Sequence, residues 1–164
     1  MNAIIRLATE ADLPTINEIY NYYVFRSTCT YQLEPETLEA RRAWFVGHPA
    51  EKYPVTVAEL DHQVVGWGSL SKFRERAAYD GTVEASIYIR HDAHRRGIGR
   101  ALLTNLIQRA REIGFHTLIG GASADQTASL ALQESLGFQQ VAHFKEVGYK
   151  FGQRLDVVFY QLML

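Results

Sequence analysis

The residues best suited to chemistry stand together in one short basic loop, His94-Arg95-Arg96-Gly97-Ile98-Gly99-Arg100. The loop follows a strand-like run, Glu84 to Arg90, and opens the clearest helix in the sequence. Glycines let a backbone approach a ligand closely, and the first amides of a helix point outward without internal partners. Those amides, the positive end of the helix dipole and the nearby arginines together attract an anion. The ligand implied is a nucleotide-like phosphate carrier, which points to an enzyme. The lysine and Ser/Thr of a nucleotide-triphosphate loop are absent, and the three-glycine dinucleotide fingerprint does not fit. A plain helix start with solvated arginines would read the same over this segment alone, so the remaining chain has to decide.

Composition narrows the field. The chain has 164 residues, one domain (1–164) with enough length to bury a core. Hydrophobic residues at 47% and aromatics at 12% exclude a disordered chain. A formal net charge of -1 gives no general attraction for nucleic acid or an anionic membrane, so neither is an expected partner. The basic residues instead cluster locally, with Arg90, Arg95, Arg96 and Arg100 beside His91 and His94, which suits a small anion. Cys29 is the only cysteine, so no internal disulfide forms, and the histidines have no cysteine partners that would suggest a metal. Met1 to Arg6 lack the basic-then-apolar layout of a signal peptide, and no apolar run is long enough to span a bilayer. The expectation is a soluble cytoplasmic protein.

The elements that must position the loop can be placed from periodicity. Ala3 to Leu7 read as a strand, and Thr9 as the cap of a helix to about Arg26, with Glu10 and Asp12 in its first turn. Leu13, Ile16, Ile19, Tyr20 and Tyr23 mark its buried face. A loop from Cys29 leads to a second helix, Pro35 to Val46. Val55–Leu60, the turn Asp61-His62, and Gln63 to Leu70 read as a hairpin. Lys72 to Gly81 is a charged connection, and Thr82 to Arg90 a strand. Leu103, Leu106, Ile107, Ala110 and Ile113 trace one helical stripe closed by Gly114. A strand His116–Gly120, a helix Ala124–Leu136 closed by Gly137, and strands Phe138–Val147 and Leu155–Leu164 complete the chain. The fold class is α/β (α+β), a mixed sheet with helices on its faces, in the order β-α-α-β-β-β-α-β-α-β-β.

The basic glycine loop between strand and helix, followed by a strand and a helix ending in Leu136-Gly137-Phe138, resembles the GNAT superfamily of acyl-CoA-dependent N-acetyltransferases. Further segments are similar to its phosphinothricin and methionine sulfoximine acetyltransferase branch. These are Tyr79-Asp80-Gly81-Thr82-Val83-Glu84, Glu146 to Gly152, Leu155 to Gln161, Ala11 to Pro14 and Ile19-Tyr20-Asn21. The resemblance covers nearly the whole chain and implies a mostly antiparallel GNAT-like sheet and acetyl-CoA as co-substrate, with no metal. Arg95, Arg96, Gly97, Ile98, Gly99 and Arg100 would receive its phosphates, and backbone groups of Ile87, Tyr88 and Ile89 its pantetheine amides. His94 stands where the family usually has Gln or Arg. Gln126 stands at a position where an Asn contacts CoA, and Gln133 where a Tyr or His lies near the thiol.

The resemblance also assigns chemistry. An α-amine is mostly protonated at neutral pH, so a base is useful, and Glu84 matches the family's proposed base, acting directly or through water. A backbone amide, that of Tyr88 or Ile89, would stabilise the developing oxyanion. Arg74 matches the arginine that holds the acceptor carboxylate through two parallel hydrogen bonds. Phe73, Arg76, Tyr79, Ala85 and Ser86 would line the same pocket, with Tyr31 closing it from the early loop. Lys150, Trp44 and Trp67 read as structural, and Cys29 as no nucleophile. The acceptor implied is a small amino acid or analogue with a free α-amine, such as methionine sulfone, methionine sulfoximine or phosphinothricin. Two other readings stay open: acetylation of a protein's terminal amine, and a non-catalytic acyl-CoA-binding regulator, the latter suggested by Gln126 and Gln133. A homodimer is implied by resemblance.

Overall fold

The computed structural model describes residues 3–164; Met1 and Asn2, part of the amino-terminal stretch read above, lie outside the described residues. The strands are β1 (Ile4–Leu7), β2 (Val55–Leu60), β3 (Gln63–Lys72), β4 (Thr82–Ile89), β5 (Thr117–Ser123), β6 (Gln139–Lys150) and β7 (Gln153–Met163). The helices are α1 (Leu13–Val24), α2 (Leu38–Val46), α3 (Ile98–Ile113) and α4 (Thr127–Ser135). One sheet runs β1-β2-β3-β4-β5-β7-β6, antiparallel except where β4 meets β5. The element order and mostly antiparallel mixed sheet are those expected from the sequence.

Several boundaries move, each for a tertiary reason. Thr9 does not cap an α-helix. Its amide and hydroxyl donate to Asp12 Oδ2 at 2.8 and 3.0 Å, closing a 3-10 turn over Glu10–Asp12. Helix α1 then starts at Leu13 with Pro14 in its first turn, a position where the missing N–H costs nothing. α2 starts at Leu38 rather than Pro35, capped by Thr37, which accepts from the Ala40 amide at 3.1 Å. Glu36 stays out of the helix because α1 holds it: its amide donates to Asn21 Oδ1, and its carbonyl accepts from Asn17 and Asn21. α4 starts at Thr127 rather than Ala124, since the Ala124 amide is taken by Asp156 O at 2.9 Å. β6 continues to Lys150 through a bulge after Phe144, where Asp156 receives the Glu146 amide and the His143 ring.

The sheet is covered on both faces. On one, Leu103, Leu106 and Ala110 of α3 pack on Leu70, Val83 and Leu118, together with Phe138 and Tyr160. α3 comes close because β3 has no side chain at Gly68, where a Cβ would sit 3.0 Å from both Ile87 Cγ2 and Leu106 Cδ1. On the other face, Leu13, Ile16 and Ile19 of α1 pack on Val55, Val57 and Trp67, with Leu38 and Trp44 of α2 and Tyr88 of β4 alongside. Each such aliphatic side chain removed from water contributes about 1.5–3 kcal/mol. The alternation along β4 therefore sends Ala85, Ile87 and Ile89 toward α3, and Glu84, Ser86 and Tyr88 toward α1 and α2.

Candidate active site

β4 and β5 are paired only from Thr82–Glu84 against Thr117–Ile119. Beyond Glu84 they part, and β5 continues with β7 alone as far as Ser123. The gap opens into a cleft of about 460 Å³ that reaches from this apex to the loop ahead of α3. Register decides which backbone groups face it. The Arg90 amide donates to Val65 O at 2.8 Å, and pairing alternates back along β4 from there. Tyr88, Ser86 and Glu84 turn their peptide groups to β3, whereas Ile89, Ile87 and Ala85 turn theirs to the cleft. Of the two expected oxyanion donors, Tyr88 therefore turns its amide to Trp67, and Ile89 turns its amide to the gap. Ile89 O already accepts from the Tyr23 hydroxyl, itself 2.7 Å from His94 Nε2.

The glycine loop closes the far end. Arg95 and Gly97 take left-handed angles, φ 60° and 77°, which swing the chain into α3 and present its first amides outward. The turn at Arg95 costs about 1 kcal/mol for a residue with a side chain. No atom lies within 4 Å of a Cβ built at Gly97, so that approach is open. Arg95, Gly97, Ile98, Gly99 and Arg100 line the cleft, and Arg100 donates to Ser135 Oγ at 2.7 Å, bracing α3 against α4. Arg96 is not on this wall; it lines a separate depression with Leu60 and Asp61.

The opposite wall comes from the 25–31 loop, β5 and α4. Lys150, 3% exposed, donates to Ser27 O and Thr30 O, each at 2.7 Å, and so fixes that loop with Ser27 and Cys29 on the cleft. Burial pushes the Cys29 thiol up, which keeps it a thiol. Gln126 lines the cleft, but its amide donates to Thr28 Oγ1 at 2.7 Å, and Thr28 in turn donates to Asp125. Gln133 is 6% exposed and lies against Gly120, where any Cβ would collide with it. Its Oε1 has no hydrogen-bond partner among the described residues. A buried acceptor lacking a donor, a row of β4 amides with no strand opposite, and an anion-ready helix start fit a long, amide-bearing phosphate ester.

Glu84 stands at the apex on the other face of the sheet. Burial alone pushes its carboxyl above the ordinary range, and no described residue donates a hydrogen bond to it. A Cβ at Gly121 would lie 3.5 Å from Glu84 Oε1 and 2.9 Å from Phe159 Cε1, so carboxylate and ring share the space over that glycine. Ser86 and Tyr88 follow on the same face; the Tyr88 phenol is buried against Trp67 and Tyr20, which pushes it well above its usual range. Tyr31 faces this side too, its hydroxyl on Ser123 Oγ at 2.9 Å and its ring filling the space beside Gly148. Phe73, Arg74, Arg76 and Tyr79 lie in the connection that leaves β3 next to the Ser71–Glu84 pair. Arg74 is exposed, its guanidinium 5.1 Å from the Phe73 ring and 5.8 Å from the Tyr79 ring.

Of the residues expected to hold acetyl-CoA, all but Arg96 are on the cleft wall, joined by Ala85 and Ser86. Glu84, Tyr31, Phe73, Arg74, Arg76 and Tyr79 are not on it. Tyr23, expected only as a buried-face residue, and Cys29, expected only as no nucleophile, are also on it. The sequence signal that could have found that wall is the Gly120-Gly121 pair, since glycines inside a strand mark close backbone approach.

Comparison with known proteins agrees with this geometry. Residues 5–159 match the family model described as the acetyltransferase (GNAT) domain. An L-methionine sulfoximine/L-methionine sulfone acetyltransferase of Pseudomonas paraeruginosa is 39% identical, over 100% of this chain and 96% of that protein. The crystal structure of a phosphinothricin acetyltransferase from Sinorhizobium meliloti, in complex with acetyl-CoA, superposes with a TM-score of 0.97 at 36% identity, covering 100% of this chain and 89% of that one. A ribosomal-protein-alanine N-acetyltransferase from Brucella melitensis has a TM-score of 0.95 at 42% identity, covering 98% and 99%. A parted β4–β5 pair leading to a basic glycine loop, and a match of this length, have one explanation: the chain belongs to the GNAT acetyltransferase family.

Proposed function

We infer that the protein transfers the acetyl group of acetyl-CoA to the free α-amine of a small amino acid or analogue of the methionine sulfone, methionine sulfoximine or phosphinothricin type. The observation that carries this reading is the desolvated Glu84 carboxylate at the apex of the parted strands, with no donor to quench its basicity. Acetyl-CoA, when bound, supplies the activated acyl group as a thioester. Arg95, Arg100 and the amides of Gly97 to Arg100 hold its phosphates, and the backbone of Ile87 and Ile89 holds its amide-bearing arm. The Ile89 amide is the donor toward the carbonyl oxygen, and Tyr88 supports the strand from behind. Glu84 takes the proton from the ammonium form of the acceptor, and Arg74 binds the acceptor carboxylate, with Phe73, Arg76, Tyr79 and Tyr31 around it. Gln126 and Gln133 supply amides but no acid, so the second proton lost by the attacking nitrogen passes through water to the departing thiolate.

We further propose that a single catalytic domain works here as a cytoplasmic homodimer. Val141, Phe144, Val147 and Tyr149, exposed along β6, favour pairing between copies, and unpaired Cys29 suits a reducing compartment. Among the described residues no helix is long and apolar enough to cross a membrane. The test is mass-spectrometric detection of N-acetyl product from purified protein, acetyl-CoA and the three amines. A second reading, acetylation of a protein's terminal alanine, follows from the likeness to the Brucella ribosomal-protein-alanine N-acetyltransferase. Turnover of an alanine-ended peptide with none of the small amines would replace the first reading by the second. Arg100→Ala is expected to raise the KM for acetyl-CoA roughly 10- to 100-fold, the loss of one hydrogen bond to a charge of about 1.5–3 kcal/mol. kcat should change little, and steady-state kinetics checks both.

A further inference from the structure

We propose that His48 is a positioning residue for the Glu84 base and acts on it through Ser71. The inference rests on the reading of Glu84 as the base. His48 follows α2, and its ring makes two directed contacts: Nδ1 lies 2.7 Å from Trp44 O, and Nε2 lies 2.9 Å from Ser71 Oγ. A carbonyl only accepts, so Nδ1 carries the ring hydrogen. In the neutral ring Nε2 is then an acceptor, and the Ser71 hydroxyl must donate to it. Burial, reinforced by the positive charge of Arg41, holds His48 below its usual range and keeps the ring neutral.

Ser71 is directly opposite Glu84 in the β3–β4 ladder. The alternation that pairs Arg90 with Val65 makes this a hydrogen-bonded pair, with α-carbons about 5.5 Å apart and both side chains on the α1–α2 face. With its hydrogen held by His48, Ser71 presents lone pairs toward Glu84. It accepts from the acceptor's ammonium, or from a water between them, and does not stabilise the Glu84 anion. That explains why a half-buried carboxylate with a hydroxyl as its cross-strand neighbour is left without a donor. Freed from His48, the same hydroxyl would turn its hydrogen to Glu84 and make it a weaker base.

The charged and titratable groups around His48 are Arg41 on the preceding helix α2, Tyr53 with Lys52 over its ring on the way to β2, and Glu84, the cross-strand neighbour of Ser71. Lys72, beside Ser71, is paired with Glu75 at 3.3 Å and points to the other face.

The test is the pH profile of kcat for methionine sulfone at saturating acetyl-CoA in His48→Phe, Ser71→Ala, the double variant and Glu84→Gln. His48→Phe keeps an aromatic ring against Trp44, whose centroid lies 4.2 Å from that of His48, and removes the acceptor nitrogen. It is expected to lower the plateau kcat roughly three- to tenfold and move the acid limb to lower pH, because a hydrogen bond to a carboxylate favours its charged form. Adding Ser71→Ala removes the freed hydroxyl and should return the limb to its wild-type position. A purely structural His48 would leave the limb unmoved in the single variant, or would shift it equally in both backgrounds; either result overturns the proposal. Should His48→Phe not fold, Ser71→Ala alone decides between the two: a rate loss with an unmoved limb supports the proposal, and an unchanged rate overturns it. Full activity in Glu84→Gln would instead overturn the reading on which the proposal rests.

Discussion

Glu84→Gln is expected to lower kcat by about 10²- to 10⁴-fold, the usual contribution of a positioned base. The KM for acetyl-CoA should hardly move, because Glu84 is not part of the cleft wall. The sign of the pH dependence follows from the burial of the carboxyl. The base works only when deprotonated, so wild-type kcat falls as the pH drops through the raised value of Glu84, above where an ordinary carboxylate would lose it. Glu84→Gln should flatten that limb. The same burial predicts an opposite effect on stability. The folded protein keeps a proton that the unfolded chain has released, so stability is lost as pH rises from the ordinary carboxylate range through the raised value. Glu84→Gln removes that penalty, and its melting temperature at neutral pH should exceed that of the wild type. A variant both slower and more heat-stable, by kinetics and calorimetry, is the combined outcome.

Lys150→Met is the second large effect. The ammonium is almost fully buried and joins the end of β6 to the carbonyls of Ser27 and Thr30. Methionine fills the same volume but leaves two buried acceptors unpaired. The loss is expected to be about 2–4 kcal/mol in denaturant unfolding, since hydrogen bonds to charged groups contribute about 1.5–3 kcal/mol each. The loop that is freed carries Ser27 and Cys29 on the cleft wall and Tyr31 on the Glu84 face. Acetyl-CoA affinity should therefore fall together with stability, which a titration at a temperature where the variant is still folded separates from unfolding.

Much of the fold is legible in single-chain patterns. The stripe from Leu103 to Ile113 and the caps at Gly114 and Gly137 are local signals, and the structure keeps them. So is the glycine loop, whose chemistry depends on a strand before it and a helix after it. What escapes are features settled across the sheet. The late start of α2 depends on Asn17 and Asn21 reaching Glu36, and the late start of α4 on Asp156 taking the Ala124 amide. Which β4 amides face the cleft depends on register with β3, so Tyr88 and Ile89 look equivalent in sequence and differ in space. His48 and Ser71 carry no motif; only the hairpin and the end of α2 bring them together.

The parted strands have one more consequence. A sheet normally shields its free edges, because unsatisfied peptide groups invite pairing with foreign chains. Here such an edge lies inside the molecule, at Ile87 and Ile89. Coenzyme threaded along it would act as the absent strand and lend the protein stability in proportion to its abundance. At a hundred times its dissociation constant a ligand adds about 2.7 kcal/mol. Resistance to heat and proteases would then track the local supply of the coenzyme.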